Sequence, residues 1–315
     1  MKPLVVITGP TAVGKTELSI KIAKAIDGEI ISADSIQVYK HMDIGSAKIT
    51  KEEMQGIKHY LVDEFEPDEE FNVHVFKEKT LEYMDKIYEA GKIPIIVGGT
   101  GFYIQSVLYD IQFNDEEIDS AYRKELENIA KEKGNDYLHN MLKEVDEESA
   151  LNIHKNNLKR VIRALEFYKN TGEKISTHNE EQSQNISPYN FVYFVLNDKR
   201  ELLYERINKR VDIMFDKGLV NEVKNLLNMG YTKDLVSMNG IGYKEVVDYI
   251  NGKYSLDETK EIIKRETRHF AKRQLTWFRR EKDVTMVNYF DYDSIDDTLK
   301  YMINTLREKD IIKND

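Results

Sequence analysis

A short apolar run, Leu4–Thr8, leads into Gly9-Pro10-Thr11-Ala12-Val13-Gly14-Lys15-Thr16 and then into a helical pattern, and this segment constrains the chain more than any other. The octapeptide fits G-x-x-x-x-G-K-[ST] in the right context, a strand before and a helix after. Its glycines let the backbone curl so that amide hydrogens converge on phosphate oxygens. The helix that follows aims its N-terminus at the same anion, and Lys15 adds a point charge. The Thr16 hydroxyl is suited to Mg²⁺ bridging those oxygens. An ordinary glycine-rich turn would not need the lysine and hydroxyl at these places. The motif specifies a pyrophosphate group and leaves open whether a nucleotide carries it.

A phosphate loop of this kind requires a parallel α/β sheet. The runs Leu4–Thr8, Glu29–Ala33, His59–Val62 and Pro94–Val97 are expected as buried strands, with Phe191–Leu196 as a fifth and Val284–Val287 as a sixth. Helical patterns at Glu17–Ile26 and Val75–Ala90 separate several of them. In the first, Leu18, Ile22 and Ile26 mark one helical face. Strand alternating with helix implies right-handed crossovers and a sheet covered on both faces. Between Asn114 and Tyr189 the signals are helical, opening on Asp115-Glu116-Glu117 and closing on the polar stretch His178–Pro188. The expected organisation is therefore an α/β core over 1–113, a helical insertion over 114–189, and a return to the core with C-terminal helices over 190–315. Helices are expected at Arg200–Phe215, Val220–Leu227, Tyr243–Ile250 and Leu256–Arg280.

Composition narrows the setting. The chain has no cysteine, which excludes disulfides, zinc knuckles and thiol catalysis, and its seven histidines show no metal-ligand spacing. No apolar run is long enough to span a membrane. Met1-Lys2-Pro3 runs straight into the first strand, so no signal peptide and a cytoplasmic location are expected. The formal charge of −10 opposes general nucleic-acid binding, yet Thr259–Lys282 holds nine Lys/Arg against three Glu.

Two further strand exits carry chemistry. Asp34 follows Ile30-Ile31-Ser32-Ala33, at the sheet edge where open α/β folds bind ligands. It is a candidate general base or metal ligand, with a turn or N-cap aspartate as the competing role. Gln37 offers an amide for a base edge. Gly98-Gly99-Thr100-Gly101-Phe102-Tyr103 keeps the backbone clear around the Thr100 hydroxyl, or makes a plain tight turn. Neither Pro94–Val97 nor His59–Val62 is read as ending in a Walker-B aspartate, and Leu196-Asn197-Asp198-Lys199 is not the Asn-Lys-x-Asp order of a guanine-specific switch. In the insertion, Arg160 and Arg163 share a helical face. Lys264, Arg268 and Lys272 repeat at four-residue spacing, a positive stripe suited to a nucleic-acid backbone or to pairing with acidic neighbours. Trp277 and Phe278 are expected as core anchors rather than base-stacking platforms.

Taken in order, Gly9–Thr16, Asp34–Tyr39 with Asp43–Lys48, Gly98–Tyr103, Arg160–Glu166 and Ala271–Phe278 closely resemble the bacterial tRNA dimethylallyltransferases, from residue 1 to about 290. The resemblance implies a P-loop, nucleotide-kinase-like core with an all-helical insertion that helps clamp the tRNA anticodon stem-loop. It implies transfer of a dimethylallyl group from dimethylallyl diphosphate to N6 of the adenosine 3′ of the anticodon, with Mg²⁺; no obligate protein partner is inferred from the sequence. By position, Asp34 matches the general base and Thr100 a residue near the reacting centre, with Lys15 acting on the diphosphate. Asp34, Ser35, Ile36 and Gln37 match the target-base contact. Arg123 and Lys159-Arg160-Val161-Ile162-Arg163 match tRNA contacts, which the helical stripe extends to Arg268 and Lys272. Two positions depart from the family, with Lys159 where Gln is frequent and Ser46 where Thr is. A phosphotransferase of the nucleotide-kinase kind and a nucleotide-gated RNA-binding protein are the alternatives that the phosphate loop alone allows.

Overall fold

A computed structural model describes residues 1–112 and 120–313. It divides into two compact units, Met1–Leu108 with Pro188–Asp315, and Tyr109–Ser187. The expected opening of the insertion at Asn114, with its acidic Asp115-Glu116-Glu117, lies outside the described residues.

The first unit is built on six parallel strands: β1 (Lys2–Thr8), β2 (Gly28–Ala33), β3 (His59–Tyr60), β4 (Ile93–Gly98), β5 (Tyr189–Asn197) and β6 (Val284–Asn288). Their order is β3-β2-β4-β1-β5-β6. Each expected strand is present, β6 included, within a few residues of its expected limits. Between β1 and β2 runs α1 (Lys15–Ile26), and between β3 and β4 runs α3 (Val73–Glu89), with the single turn α2 (Lys51–Met54) before β3. Helix α4 (Gly101–Leu108) leaves β4, and α10 (Arg200–Asp216) through α11 (Leu219–Asn228), α12 (Tyr243–Ile250), α13 (Leu256–Phe278) and α14 (Ile295–Glu308) follow β5.

Alternation along a strand explains how both faces are buried. In β1, Val5 and Ile7 join one cluster with Leu18 and Ile22 of α1 and with Met302 and Leu306 of α14. Leu4 and Val6 are equally buried but lie outside that cluster, as side chains on the opposite face must. The register Ala33↔Gly98 and Thr8↔Gly98 sets the carboxyl ends of β2, β4 and β1 side by side. A side chain on Gly98 would meet the Ala33 carbonyl oxygen at 2.1 Å, so only glycine lets β2 and β4 end together. The Thr8 hydroxyl donates to Gly98 O at 2.7 Å and ties β1 to the same point.

The second unit contains α5 (Ser120–Lys133), α6 (Asn135–Val145), α7 (Glu147–Asn152), α8 (Leu158–Thr171) and α9 (Ile175–Ser183), and no strand among the described residues. Leu126, Leu138, Leu142, Val161, Ile162 and Leu165 form its core. Helix α9 continues through much of the polar stretch His178–Pro188. It buries none of its residues, so its sequence has no apolar period to mark it.

Candidate active site

Because all six strands are parallel, the exits of β1, β2 and β4 open on one edge, and the candidate residues gather there. Gly9 and Gly14 take positive φ (142° and 98°), as does Ala12 at 64°, which curls the phosphate loop. A Cβ on Gly9 would stand 2.4 Å from Leu196 O at the end of β5. Lys15 Nζ donates to the loop's own Gly9 O and Pro10 O, each at 2.9 Å. Burial lowers its pKa to about 7; the charge of Arg210 adds to that, and Asp34 opposes it. A lysine so held is short of counter-charge, which an anion in the loop would supply.

Asp34 plays the turn role and keeps room for another. Its Oδ1 accepts from the Ile36 and Gln37 amides, at 2.9 and 3.2 Å. The residue lines two cavities. The smaller, of about 60 Å³, also touches Lys15, Thr16 and Gln37. The larger, of about 470 Å³, runs past Ser35, Ile36 and Thr100 between apolar walls that include Phe71, Val211 and Met214. Thr16 and Asp34 offer hard oxygen donors on one lip. Such a set fits Mg²⁺, which takes few protein ligands and keeps its waters. Among the described residues no cluster of three His, Asp or Glu forms a self-contained metal cage.

Gln37 Nε2 donates to Ser46 O and Ala47 O, at 3.2 and 3.3 Å, so the amide is already oriented by the 43–47 loop. That loop is held by Glu222 of α11. Its carboxylate accepts from the Asp43, Ile44 and Gly45 amides, at 2.9, 2.7 and 3.0 Å, and from the Tyr243 hydroxyl at 2.9 Å. Glu222→Ala strands these donors and is expected to lower unfolding stability by about 2–3 kcal/mol. A urea titration showing an unchanged midpoint would exclude this clamp.

Three contributors escaped the sequence reading: Glu222, Arg210 and Gln274. Arg210 projects from α10 into the larger cavity, and nothing local to its sequence marks it. Gln274 of α13 is 6% exposed and bonds both the Thr11 amide and Gly99 O. Its signal was present, because with Ala271 and Phe278 it occupies the buried face at helical spacing.

The expected RNA contacts divide. On α8, Lys159, Arg160 and Arg163 are exposed and have no ion-pair partner among the described residues. Val161 and Ile162, grouped with them by sequence, are buried in the core of the helical unit, so their side chains pack rather than contact RNA. The Arg123 guanidinium forms a bidentate pair with buried Glu166, at 2.8 and 2.7 Å, and is largely committed there. In the α13 stripe, Lys264 pairs with Asp212 and Glu261, at 2.9 and 3.1 Å, which cancels its charge. Arg268 donates to Asn208 at 2.6 Å, while Lys272 is exposed. Phe278 is fully buried as expected. Trp277 is not a core anchor, since it is 39% exposed and meets Phe102 edge-on. Asp63 does follow the His59–Val62 run directly, but β3 ends at Tyr60 and Asp63 bonds Lys48 at 2.8 Å.

A family model described as IPP transferase matches residues 37–281. A tRNA dimethylallyltransferase of Lachnoclostridium phytofermentans is 61% identical over 313 residues, covering 99% of this chain and 100% of that one. One from Acetivibrio thermocellus is 54% identical, covering 97% and 98%. The crystal structure of a full-length tRNA isopentenylpyrophosphate transferase from Bacillus halodurans superposes with TM-score 0.74 at 43% identity, covering 98% of each chain. A eukaryotic dimethylallyltransferase acting on tRNA gives TM-score 0.82 at 29% identity, covering 98% of this chain and 80% of that one.

Proposed function

Since the chain belongs to the IPP transferase family of tRNA dimethylallyltransferases, we propose that it moves a dimethylallyl group from dimethylallyl diphosphate to N6 of the adenosine 3′ of the anticodon, releasing pyrophosphate. The observation that carries this reading is the position of Asp34, which lines both the phosphate-loop cavity and the apolar cavity. A diphosphate in the loop would send its five-carbon tail toward apolar walls, with the carboxylate at the junction.

An allylic diphosphate ionises readily once its leaving group is stabilised. The loop amides and Lys15 would receive the charge that develops on pyrophosphate. Mg²⁺, held through Thr16 and the diphosphate oxygens, would neutralise part of that charge when bound. The exocyclic amine of adenine is weakly basic, so Asp34 would take its proton as the N–C bond forms. The Ile36 and Gln37 amides hold Oδ1, which orients the other oxygen for that task. Gln37, with its nitrogen engaged by the 43–47 loop, would present its carbonyl oxygen as an acceptor for an amine-bearing base. An unpaired anticodon-loop base costs less to extrude than a stacked pair. A cytoplasmic site of action follows from this substrate.

Incubating purified protein with unmodified tRNA, Mg²⁺ and either dimethylallyl diphosphate or ATP tests the reading. Prenylated adenosine in the nucleoside mass spectrum supports it. Phosphate released from ATP, with no prenylated product, would favour the phosphotransferase or the nucleotide-gated binder.

Lys159 and Arg160 sit in the first turn of α8, where the helix dipole disfavours cations. Unpaired cations kept there suit an external phosphate, and Arg163 extends the group by one turn. Binding of an anticodon stem-loop should therefore weaken steeply with salt despite the negative overall charge. Arg163→Ala is expected to flatten the log K against log[salt] slope by about one unit. Arg268→Ala should do less, because Asn208 already engages Arg268. Lys253, paired with Asp248 at 3.1 Å, is the comparison whose removal should leave the slope unchanged. Fluorescence titrations giving one slope for wild type and both arginine variants would remove these faces from the RNA interface.

A further inference from the structure

Helix α13 reaches the active-site edge through one buried polar side chain. Gln274 Oε1 accepts from the Thr11 amide at 2.9 Å, and Nε2 donates to Gly99 O at 3.0 Å. Those partners fix which end of the amide is which, since exchanging them would set donor against donor and acceptor against acceptor. Thr11 lies inside the phosphate loop, and Gly99 immediately precedes Thr100. A Cβ on Gly99 would stand 2.2 Å from Gln274 Nε2, so a glycine at this exit is what admits the bridge. The two residues just before it on the helix, Lys272 and Arg273, are exposed.

We propose that Gln274 is a positioning residue that holds the phosphate loop and the Gly99–Thr100 exit at a fixed separation, so that a diphosphate gripped by the loop lies within reach of Asp34 and Thr100. This rests on the transferase reading and deepens it. Strands β1 and β4 are paired only as far as Thr8 and Gly98, and Gln274 acts through the backbone of Thr11 and Gly99 beyond that point, so without it the loop and the exit lose a direct tie past the end of the sheet. A displacement of about 1 Å at a reacting centre costs on the order of 10²-fold in rate.

Two variants and three readouts test this. Gln274→Ala removes both bonds. Gln274→Glu keeps the acceptor for Thr11 but can donate to Gly99 O only when protonated. Calorimetry with inorganic pyrophosphate reports the loop, fluorescence with an anticodon stem-loop reports RNA binding, and steady-state kinetics reports turnover. Gln274→Ala is expected to lower kcat by about 10- to 100-fold and to weaken pyrophosphate binding, with stem-loop affinity within about twofold of wild type. Gln274→Glu should regain activity relative to wild type as the pH falls, a trend that a purely structural residue would not produce. Stem-loop binding lost in proportion to activity would overturn the proposal, as would a Gln274→Glu profile parallel to wild type at a near-normal rate. Wild-type protein that makes no prenylated adenosine would sink the transferase reading alone, because weakened pyrophosphate binding in Gln274→Ala would still support the bridge.

Discussion

Replacing Asp34 with Asn is expected to slow the chemical step by roughly 10²- to 10⁴-fold while the protein stays folded and binds tRNA normally. The amide has nearly the shape of the carboxylate. Its oxygen can still accept from the Ile36 and Gln37 amides, which Oδ1 does at 2.9 and 3.2 Å. The turn that begins the base-reading segment is therefore preserved. What disappears is a group able to take a proton from the attacking amine, because an amide nitrogen in the second position cannot act as a base. Single-turnover measurement with pre-bound tRNA isolates this step from product release. A near-normal rate there would leave Asp34 with the turn role alone, and the junction between the two cavities would need another base.

Lys15→Ala is expected to reduce turnover by on the order of 10²-fold or more, with tRNA affinity nearly intact. In the free protein the ammonium is held by Gly9 O and Pro10 O, and burial brings its pKa down to about 7. A diphosphate seated in the loop places negative charge beside it and raises that pKa. Binding must then take up a proton at pH values above about 7, so the affinity for dimethylallyl diphosphate should fall as pH rises through that region. The sign is opposite for folding. An unfolded lysine titrates near its ordinary value of about 10.5, so the folded state disfavours the charged form and gains stability as pH rises from about 7 toward that value. Calorimetry across this range should show the decline in wild type and its absence in Lys15→Ala. Proportional loss of tRNA binding in the variant would remove the loop from the leaving-group role.

The sequence by itself determined whatever depends on local order along the chain. Glycines at positions 9 and 14, a lysine and a hydroxyl in fixed order between a strand and a helix specify a phosphate loop, because the conformation that binds the anion is encoded within eight residues. The strands were legible as apolar runs, since a sheet covered on both faces needs unbroken apolar segments rather than an alternating pattern. Asp34 and Thr100 could be nominated because parallel strands put every strand exit on one edge. Tertiary structure decided what depends on contacts between distant segments. It spent Lys264 on Asp212 and most of Arg123 on Glu166, charges that look as free in sequence as Arg163. It buried Val161 and Ile162 inside a motif whose arginines face solvent. It also brought Glu222 and Gln274 to loops far from them in sequence. A periodic pattern tells which face of an element is turned inward, but a polar side chain's partner is set by the packing of other elements against it, which no local pattern encodes.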